Sequence, residues 1–388
     1  MQNNIVASAL IACACLVCAL AAPRVEATPG CFSPGRWAAP DARGAQKSRG
    51  DLALSAASKA DFVLLGEAHD NSDHHLWQLQ SLGMLLGSRN SLVIGMEMFP
   101  RRVQPALDRW VAGELTETEL LEQSEWDRVW RFDPALYLPI LRFARLNRVP
   151  VVAINVKRQL IADIAKHGLS AIEPNQREGI DDPEPASEDY RQMLKLAFEQ
   201  HGERDDALFE NFVEAQLLWD RAFARALSDA RQTHPAALVV GVIGSGHLQY
   251  GYGVPHQLRS LGHDNVTVWL PISSSRSCDE LAGIADAVFV VADTERAPRP
   301  RLGVFLHDDE DGAKVSEVIP GSVAETAGLA SGDRILSAAG VQVRASEDVI
   351  AVVRRQSPGT WLPMTIARNG ETINLVAKFP AAAPAPGH

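Results

Sequence analysis

Residues 62–69 read FVLLGEAH, a continuous apolar run that ends in glycine and the ionisable side chains of Glu67 and His69. Three further runs have the same form: 92–97 ending at Glu97, 149–155 ending at Asn155, and 238–247 ending at His247. Short apolar runs bounded by glycine and polar residues are typical of buried parallel strands. Because ligands bind at the carboxyl ends of such strands, we predict that these polar residues meet at one site.

The composition is that of an ordinary globular protein, with 46% hydrophobic and 22% charged residues. A length of 388 residues is sufficient for two domains with sizeable cores. The formal net charge is −11, and the sequence contains no run rich in lysine or arginine. Binding to a phosphate backbone requires clustered basic residues, so we expect no nucleic-acid partner.

The N-terminus has the pattern of an export signal over residues 1–27. Residues 5–22 are almost wholly apolar, and Val25 and Ala27 provide the small side chains that signal peptidase needs. The segment departs from the pattern in having no Lys or Arg among its first four residues, and Leu10–Cys13 loosely resembles a lipoprotein processing site. We expect an exported protein, either periplasmic or membrane-anchored on the periplasmic or outer side, with cleavage and lipidation both open.

Two cysteines, Cys31 and Cys278, lie outside this signal. In an oxidising compartment they can form one disulfide that ties the start of the first domain to its end. The alternative is two unrelated buried thiols.

Strand-like and helix-like segments alternate from about residue 50 to residue 292, which predicts an α/β fold with a mostly parallel sheet and flanking helices. We expect an irregular lead-in at 32–49, a helix capped by Asp70 or Ser72, and an acidic loop at 172–189. The remaining predicted elements are helices at 103–123, 134–147 and 205–231 and strands at 266–270 and 287–291. The predicted domains are a signal peptide (1–27), an α/β domain (28–292), a linker (293–300), a small second domain (301–379) and a disordered tail (380–388).

Each of two strands is followed directly by a Gly-x-x-His turn, which ends at His69 and His247 respectively. Two imidazoles and a carboxylate are a suitable ligand set for Zn, Mn or Co. We therefore consider a divalent metal held by His69, Glu97 and His247, with Glu67 as the catalytic general base of a hydrolase. The alternative is that these side chains only hydrogen-bond neighbouring loops.

Two residues are candidates for a supporting role at this site. Arg221 can hold Glu97, Glu67 or a substrate acid, or it can form an exposed salt bridge on its helix. His74 and His75 are adjacent on one helix, so at most one of them can face the site, and we select His74 as the candidate.

Two of the four tyrosines, Tyr250 and Tyr252, flank Gly251 just beyond His247. A tyrosine phenolate can ligate ferric haem. The alternative is that both rings close a loop over the core.

Three motifs together resemble the ChaN-like haem-binding lipoproteins of the Tiki superfamily: LLGEAHDN at 64–71, GMEMFPRR at 95–102, and GSGH at 244–247 followed by GYGVPHQL at 251–258. The resemblance extends from about Cys31 to Ala292. It implies an exported protein of haem or iron uptake that binds haem non-covalently through a tyrosine, Tyr252 or Tyr250 here, and pairs into dimers around stacked haems. It also implies relatives that use the two Gly-x-x-His turns and a glutamate as a metal-dependent peptidase or esterase site, at the positions of Glu67, His69, Glu97 and His247.

The second domain resembles bacterial PDZ domains, with short strands and two helices. The resemblance rests on Leu302-Gly303-Val304, on VSEVIPGSVA at 315–324 and on AGLASGDRIL at 327–336. It predicts that the backbone of Leu302, Gly303 and Val304 holds the C-terminal carboxylate of a partner protein beside the helix near 346–355.

Three functions follow, in order of preference. The first is a haem-binding envelope protein with a PDZ domain that recruits a partner. The second is a metal-dependent hydrolase, and the third is a PDZ-based interaction protein without catalysis. Whether the chain is an enzyme is left open by the sequence.

Overall fold

The structure, a computed structural model, describes residues 31–41, 44–48, 50–200, 205–292 and 300–381. The predicted signal peptide, most of the predicted linker and most of the predicted tail lie outside these residues. Among the described residues, no helix combines the length and apolar character needed to cross a membrane.

An eight-stranded sheet forms the first domain, in the order β2-β1-β8-β7-β3-β6-β4-β5. The six strands from β3 to β8 pair in parallel, and β1 and β2 form an antiparallel hairpin that is added at the β8 edge. The strands are β1 Trp37–Asp41, β2 Gly44–Ser48, β3 Phe62–Glu67, β4 Leu92–Pro100, β5 Val151–Asn155, β6 Leu238–Gly244, β7 Val266–Ser273 and β8 Ala287–Val291.

Helices cover both faces of this sheet. They are α1 Gly50–Ala57, α2 Ser72–Arg89, α3 Gln104–Ala112, α4 Glu117–Gln123, α5 Trp126–Val129, α6 Leu138–Leu146, α7 Arg158–His167, α8 Glu188–Gln200, α9 Asp206–Thr233 and α10 Val254–Ser260. The side chains of β3 alternate between two cores: Val63 and Leu65 belong to one, and Phe62 and Leu64 to the other. This alternation explains why the strand is apolar at every position, as parallel strands buried on both faces are.

Three details of the predicted elements were wrong. The lead-in is not irregular, because it contains the hairpin of β1 and β2. Helix α2 is capped by Asn71, whose side chain accepts hydrogen bonds from the N–H groups of Asp73 and His74. The segment 103–123 is two helices rather than one, because Gly113 takes a left-handed conformation (φ 84°) that ends α3.

Cys31 and Cys278 form a disulfide with a Cα–Cα distance of 4.8 Å. The same segments are joined by the backbone hydrogen bond from Cys31 N–H to the Arg276 carbonyl, at 2.9 Å. The chain segment before β1 is thereby fixed to the loop between β7 and β8.

The second domain is a six-stranded antiparallel sheet with two helices. Its strands are β9 Val304–Asp309, β10 Gly312–Val318, β11 Arg334–Ala338, β12 Val341–Gln342, β13 Trp361–Arg368 and β14 Glu371–Lys378, and its helices are α11 Val323–Ala327 and α12 Ser346–Arg354. The order is β14-β13-β11-β10-β9, with β12 paired to β11, so that β9 lies at an edge. The predicted fold class, a mostly parallel α/β sheet followed by a small domain of strands and two helices, is confirmed.

Candidate functional site

The four polar strand ends lie at one edge of the sheet because β3, β6, β4 and β5 are consecutive neighbours. Gly244, at the end of β6, lies between His69 and Glu97. A Cβ built on Gly244 would lie 2.8 Å from Cε1 of His69 and 3.4 Å from Oε2 of Glu97. Only glycine leaves room here for both side chains.

His69 and Glu67 form the first histidine–carboxylate pair. Nδ1 of His69 lies 2.8 Å from Oε1 of Glu67, and Nε2 of His69 lies 3.8 Å from Oε1 of Glu97. Burial opposes the charged form of His69, but the hydrogen bond to Glu67 and the charge of Glu97 outweigh it and raise the pKa of His69 to about 9. At neutral pH His69 is therefore an imidazolium.

Glu67 is held through its Oε1 oxygen, whereas its buried Oε2 has His75 near it but no hydrogen bond. The hydroxyl of Tyr137 donates to Oε1 of Glu67 at 2.8 Å, and Nδ1 of His75 lies 3.2 Å from Oε2. Burial opposes ionisation, but the hydrogen bond from His69 and the nearby imidazole of His75 outweigh it and lower the pKa of Glu67 to about 2. A carboxylate of this pKa is a weak base at neutral pH, so its geometry suits orienting His69 better than the predicted role of general base.

His247 and Asp220 form the second pair. Nδ1 of His247 lies 2.6 Å from Oδ1 of Asp220, and the hydroxyl of Tyr190 donates to Oδ2 of Asp220 at 2.6 Å. Burial opposes the charged form of His247, yet the carboxylate of Asp220 outweighs it and raises the pKa of His247. Burial and Asp220 together raise the pKa of Tyr190, which keeps its hydroxyl protonated.

Glu97 lies between the two pairs and is held by backbone. The N–H of Gly244 donates to its Oε2 at 2.6 Å. Asn155, at the end of β5, donates from Nδ2 to the backbone carbonyl of Glu97 at 2.7 Å, and Trp219 donates from Nε1 to Oδ1 of Asn155 at 2.9 Å. Asn155 therefore fixes the backbone that carries Glu97.

Aromatic rings cover both histidines. Trp130 and Phe132 lie with their ring centroids 4.7 and 5.3 Å from that of His69. Trp219 and Phe223 both lie 5.2 Å from His247. The His69 side chain is 31% exposed and that of His247 is 11% exposed, so the first pair is the more accessible.

The predicted metal set gains no support from this geometry. Within the described residues, no group of three or more His, Cys, Asp or Glu is arranged to hold a metal ion. The site instead has the chemistry of two imidazoles, each oriented by a carboxylate, with Glu97 between them. Such an arrangement can hold an anion or transfer a proton.

The two predicted supporting residues lie outside this cluster. Arg221 is buried and bonds to Asp181 and, at 2.7 Å, to Oγ of Ser260, so its expected contact with Glu67 or Glu97 was wrong. Since Asp181 belongs to the acidic loop 172–189, Arg221 anchors that loop to α9. Nδ1 of His74 accepts from the N–H of Ala68 at 2.9 Å and supports the turn that carries His69.

Tyr250 and Tyr252 lie on a turn directly after the His247 turn. Their rings are stacked, with centroids 5.3 Å apart, and Tyr252 also lies 6.0 Å from Tyr190. Tyr250 has a left-handed backbone (φ 58°) and is 40% exposed. Burial, the charge of Asp189 and the neighbouring Tyr250 raise the pKa of Tyr252.

In the second domain, Leu302, Gly303 and Val304 lead into the edge strand β9. Gly303 has φ 83°, and a Cβ there would lie 2.3 Å from Cβ of Ser322. The carbonyl of Leu302 accepts from the N–H of Ala324 at 2.8 Å, and that of Gly303 accepts from Ile319 at 2.9 Å. Glycine is required for this close turn.

Four residues of the site were missed by sequence reasoning: His75, Tyr137, Tyr190 and Asp220. Tyr137 and Tyr190 lie in helical segments without a local motif. Asp220 is adjacent to Arg221, and the arginine alone was assigned a role. The signal available for Asp220 was its position on the buried face of α9, where an unpaired carboxylate would be costly.

The solved structure of ChaN from Campylobacter jejuni, described as showing cofacial haem binding, is similar to the first domain. It superposes with a TM-score of 0.50 at 20% identity, covering 65% of this chain and 96% of that chain. At this identity, the likeness shows the fold.

The second domain matches the PDZ family over residues 300–378. Serine protease HTRA1 of Xenopus tropicalis is 41% identical over 68 residues, which are 18% of this chain and 14% of that protein. A probable periplasmic DegP-like serine endoprotease of Hahella chejuensis is 30% identical over 106 residues, which are 24% of this chain and 23% of that protein. The chain thus spans less than a quarter of the length of these curated relatives.

The family model described as haem-binding uptake, Tiki superfamily, ChaN matches residues 53–258. That range is 206 of the 388 residues (258 − 53 + 1), more than half of the chain. Its fold, its strand-end motifs and this match agree, and the chain belongs to the ChaN family of haem-binding proteins, with a PDZ domain after the haem-binding domain.

Proposed function

We propose that this chain is an exported protein of the cell envelope that binds haem non-covalently for haem or iron uptake and recruits a partner protein through its PDZ domain. Membership of the ChaN family supports the haem-binding part. The Cys31–Cys278 disulfide supports an oxidising compartment, and hence export. An anchor in the membrane and a free periplasmic protein are both compatible with this proposal.

The observation that carries the proposal is the Tyr250–Gly251–Tyr252 turn beside His247. Haem, when bound, supplies a ferric iron that a phenolate oxygen can ligate. Such a ligand must be accessible and must lose its proton. Tyr250 is 40% exposed, whereas the pKa of Tyr252 is raised by burial and by Asp189, which disfavours its phenolate. Tyr250 is therefore the better candidate of the two.

The same turn offers a partner for the haem propionates. Nη1 of Arg259 lies 3.4 Å from the carbonyl of Gly251, so the guanidinium is adjacent to the tyrosine turn. Arginine binds carboxylates through paired hydrogen bonds. Pairing of two copies around stacked haems is part of the proposal, and the Campylobacter jejuni protein is described as binding haem cofacially.

A titration with ferric haem tests this proposal. Visible spectra of the full chain should show a saturable Soret shift, which Tyr250→Phe abolishes or weakens at least about tenfold. Tyr252→Phe is the matched control, because it removes the neighbouring hydroxyl from the same ring stack. Unshifted spectra in the wild-type protein, or equal titrations in both variants, would contradict the haem site described here.

A second candidate, hydrolysis of an ester or amide, is favoured by the His69–Glu67 pair. Glu67 orients His69 through Nδ1, which leaves Nε2 3.8 Å from Glu97 on a side chain that is 31% exposed. In its neutral form, Nε2 of His69 would take a proton from water as the hydroxide adds to the carbonyl carbon. The imidazolium would then return that proton to the leaving oxygen or nitrogen. This route uses the chain's own residues, unlike the metal-dependent hydrolase expected from sequence.

Hydrolysis of p-nitrophenyl acetate between pH 6 and pH 10 tests the second candidate. Because the pKa of His69 is about 9, the rate should rise as pH approaches that value and should be lost in His69→Gln. His263→Gln is the control, since His263 bonds to Ser228 on α9 and lies outside the site. A rate that His69→Gln leaves unchanged would reject this candidate and leave binding alone.

The partner proposed for the PDZ domain is a protein C-terminus. Strand β9 is an edge strand, and a peptide that adds to it would place its carboxylate at the Leu302–Val304 turn. If neither haem binding nor ester hydrolysis is observed, this interaction is the function that remains.

A further inference from the structure

Residues 126–132, which we term the cover segment, place two aromatic rings against His69. Trp130 and Phe132 lie 4.7 and 5.3 Å from its ring and 5.4 Å from each other. They contact the more exposed of the two site histidines. Movement of this segment would therefore change how much of His69 a ligand can reach.

The backbone of the cover segment has an irregular conformation. Glu125, just before it, and Arg131, within it, have left-handed φ angles of 52° and 66°. Non-glycine residues adopt this conformation at a cost that the surroundings must offset. One internal bond, from Nε1 of Trp126 to the carbonyl of Phe132 at 2.7 Å, contributes to that support.

Further support comes from helix α12 of the PDZ domain. Nη2 of Arg131 donates to Oε1 of Glu347 at 2.8 Å, and Nη1 of Arg354 donates to the carbonyl of Arg131 at 2.6 Å. A third bond joins Nη2 of Arg355 to Oδ2 of Asp127. These contacts hold both ends of the turn that carries Trp130.

The contact is of a reversible kind. The ion-paired side chains are half exposed, Arg131 and Glu347 by 45% and 49%. Exposed ion pairs contribute little each and are screened by salt. The two domains can therefore separate here without loss of either core.

Helix α12 is also tied to strand β9. The N–H and the hydroxyl of Ser346 both donate to Oδ1 of Asp308, at 2.6 and 2.7 Å. The proposed peptide groove lies between these two elements. Partner binding and the cover segment thus share one helix.

We propose that the PDZ domain is a latch on the haem-binding domain: α12 holds the cover segment closed over His69, and release of this contact opens the site. The proposal concerns access to His69 and stands whether the site binds haem or hydrolyses esters. It identifies the partner of the Asp127–Arg131 surface as the chain's own PDZ domain.

Charge reversal in the full-length chain tests the latch. In Arg131→Glu the ion pair becomes a repulsion with Glu347. Labelling of His69 by diethyl pyrocarbonate at pH 9, where neutral imidazole is present, followed by peptide mass spectrometry, should therefore be about two- to fivefold faster. Amide hydrogen exchange over residues 126–132 should rise with it. Glu347→Arg should have the same effect from the PDZ side.

The double variant R131E/E347R restores opposite charges and should return both signals towards wild type. Arg128→Glu is the matched control, because Arg128 lies in the same segment but pairs with Glu125 of its own domain at 3.2 Å. Equal labelling in Arg131→Glu and Arg128→Glu would overturn the latch. An increase that the double variant fails to reverse would also overturn it.

Discussion

The two histidine–carboxylate pairs of the site have the same chemistry and different origins. Glu67 precedes His69 by two residues in a single turn, and their bond is 2.8 Å long. Asp220 reaches His247 from helix α9, 27 residues earlier, through a bond of 2.6 Å. One pair is local in sequence, and the other exists only because α9 packs against the end of β6.

The difference has consequences for stability and access. The His69 pair lies beneath two aromatic rings of a segment with exposed anchors, so it can be uncovered. The His247 pair is enclosed by Trp219, Phe223 and Tyr190. The first pair is therefore the more accessible of the two, and the second packs beside the Tyr250 turn.

Removing Asp220 should lower the free energy of unfolding more than any other change proposed for the two pairs. Asp220→Ala leaves His247 and the Tyr190 hydroxyl buried without their partner, which costs about 3–5 kcal/mol. Urea unfolding at pH 7 should show this decrease in the free energy of unfolding. Asp264→Ala, at an exposed carboxylate, is the control and should change it by about 0.5 kcal/mol or less.

The pH dependence of stability should report the His69 pair. The pKa of His69 is about 9 in the folded chain against an ordinary 6.5, so the folded state holds this proton more tightly. The resulting stabilisation, about 3 kcal/mol, is complete below pH 6.5 and is lost as pH rises through 9. Between pH 6.5 and pH 9.5, the free energy of unfolding should decrease in the wild type by about that much more than in His69→Gln.

At acid pH, the stability reports the same interaction through the carboxylate of Glu67. The pKa of Glu67 is about 2 against an ordinary 4.5, so its stabilisation is present above pH 4.5 and is lost as pH falls through 2. The two contributions are one interaction and are not added. If the variant and the wild type lose equal stability at high pH, the first pair is not ionised as described.

The glycines at the site should separate crowded from open positions. A Cβ on Gly253 would lie 2.5 Å from the carbonyl oxygen of His247 and 2.9 Å from the carboxylate of Asp220, whereas none of the described atoms lies within 4 Å of one on Gly246. Gly253→Ala should therefore destabilise by about 1–3 kcal/mol. Gly246→Ala should be nearly neutral. Thermal unfolding of both variants measures the difference, and equal effects would contradict the packing around the second pair.

The two buried tyrosines should give the smallest and most similar effects. Tyr137→Phe removes a hydroxyl from Glu67, and Tyr190→Phe removes one from Asp220. Each should cost about 1–2 kcal/mol. Only Tyr190→Phe should also weaken haem binding, because Tyr190 lies against Tyr252. Equal haem titrations in the two variants would show that the Asp220–Tyr190 contact does not support the tyrosine turn.

The sequence predicted the features of the site that depend on strand order and on neighbouring residues. The convergence of Glu67, His69, Glu97, Asn155 and His247 could be predicted because strand ends in a parallel sheet share one edge. The capping of α2 by Asn71 was also local, but Asp70 and Ser72 are equally good caps, so composition did not distinguish them. The hairpin at 37–48 was missed because its residues have little strand preference.

Contacts made by side chains on distant helices could not be predicted from the sequence. Arg221 was expected at the glutamates, yet it turns to Asp181, while its neighbour Asp220 reaches the site. Adjacent residues on a helix point about 100° apart, so the identity of the inward one depends on packing that one chain does not reveal. The same holds for His74 and His75, of which His75 faces Glu67.

The central claim is that one site holds two histidines whose pKa values are raised by buried carboxylates. Titration of the imidazole resonances of His69 and His247 by nuclear magnetic resonance tests it most directly, with His69→Gln and His247→Gln for assignment. We expect both pKa values above 6.5, that of His69 near 9. A value at or below 6.5 for either histidine would contradict the pairing on which this account of the site rests.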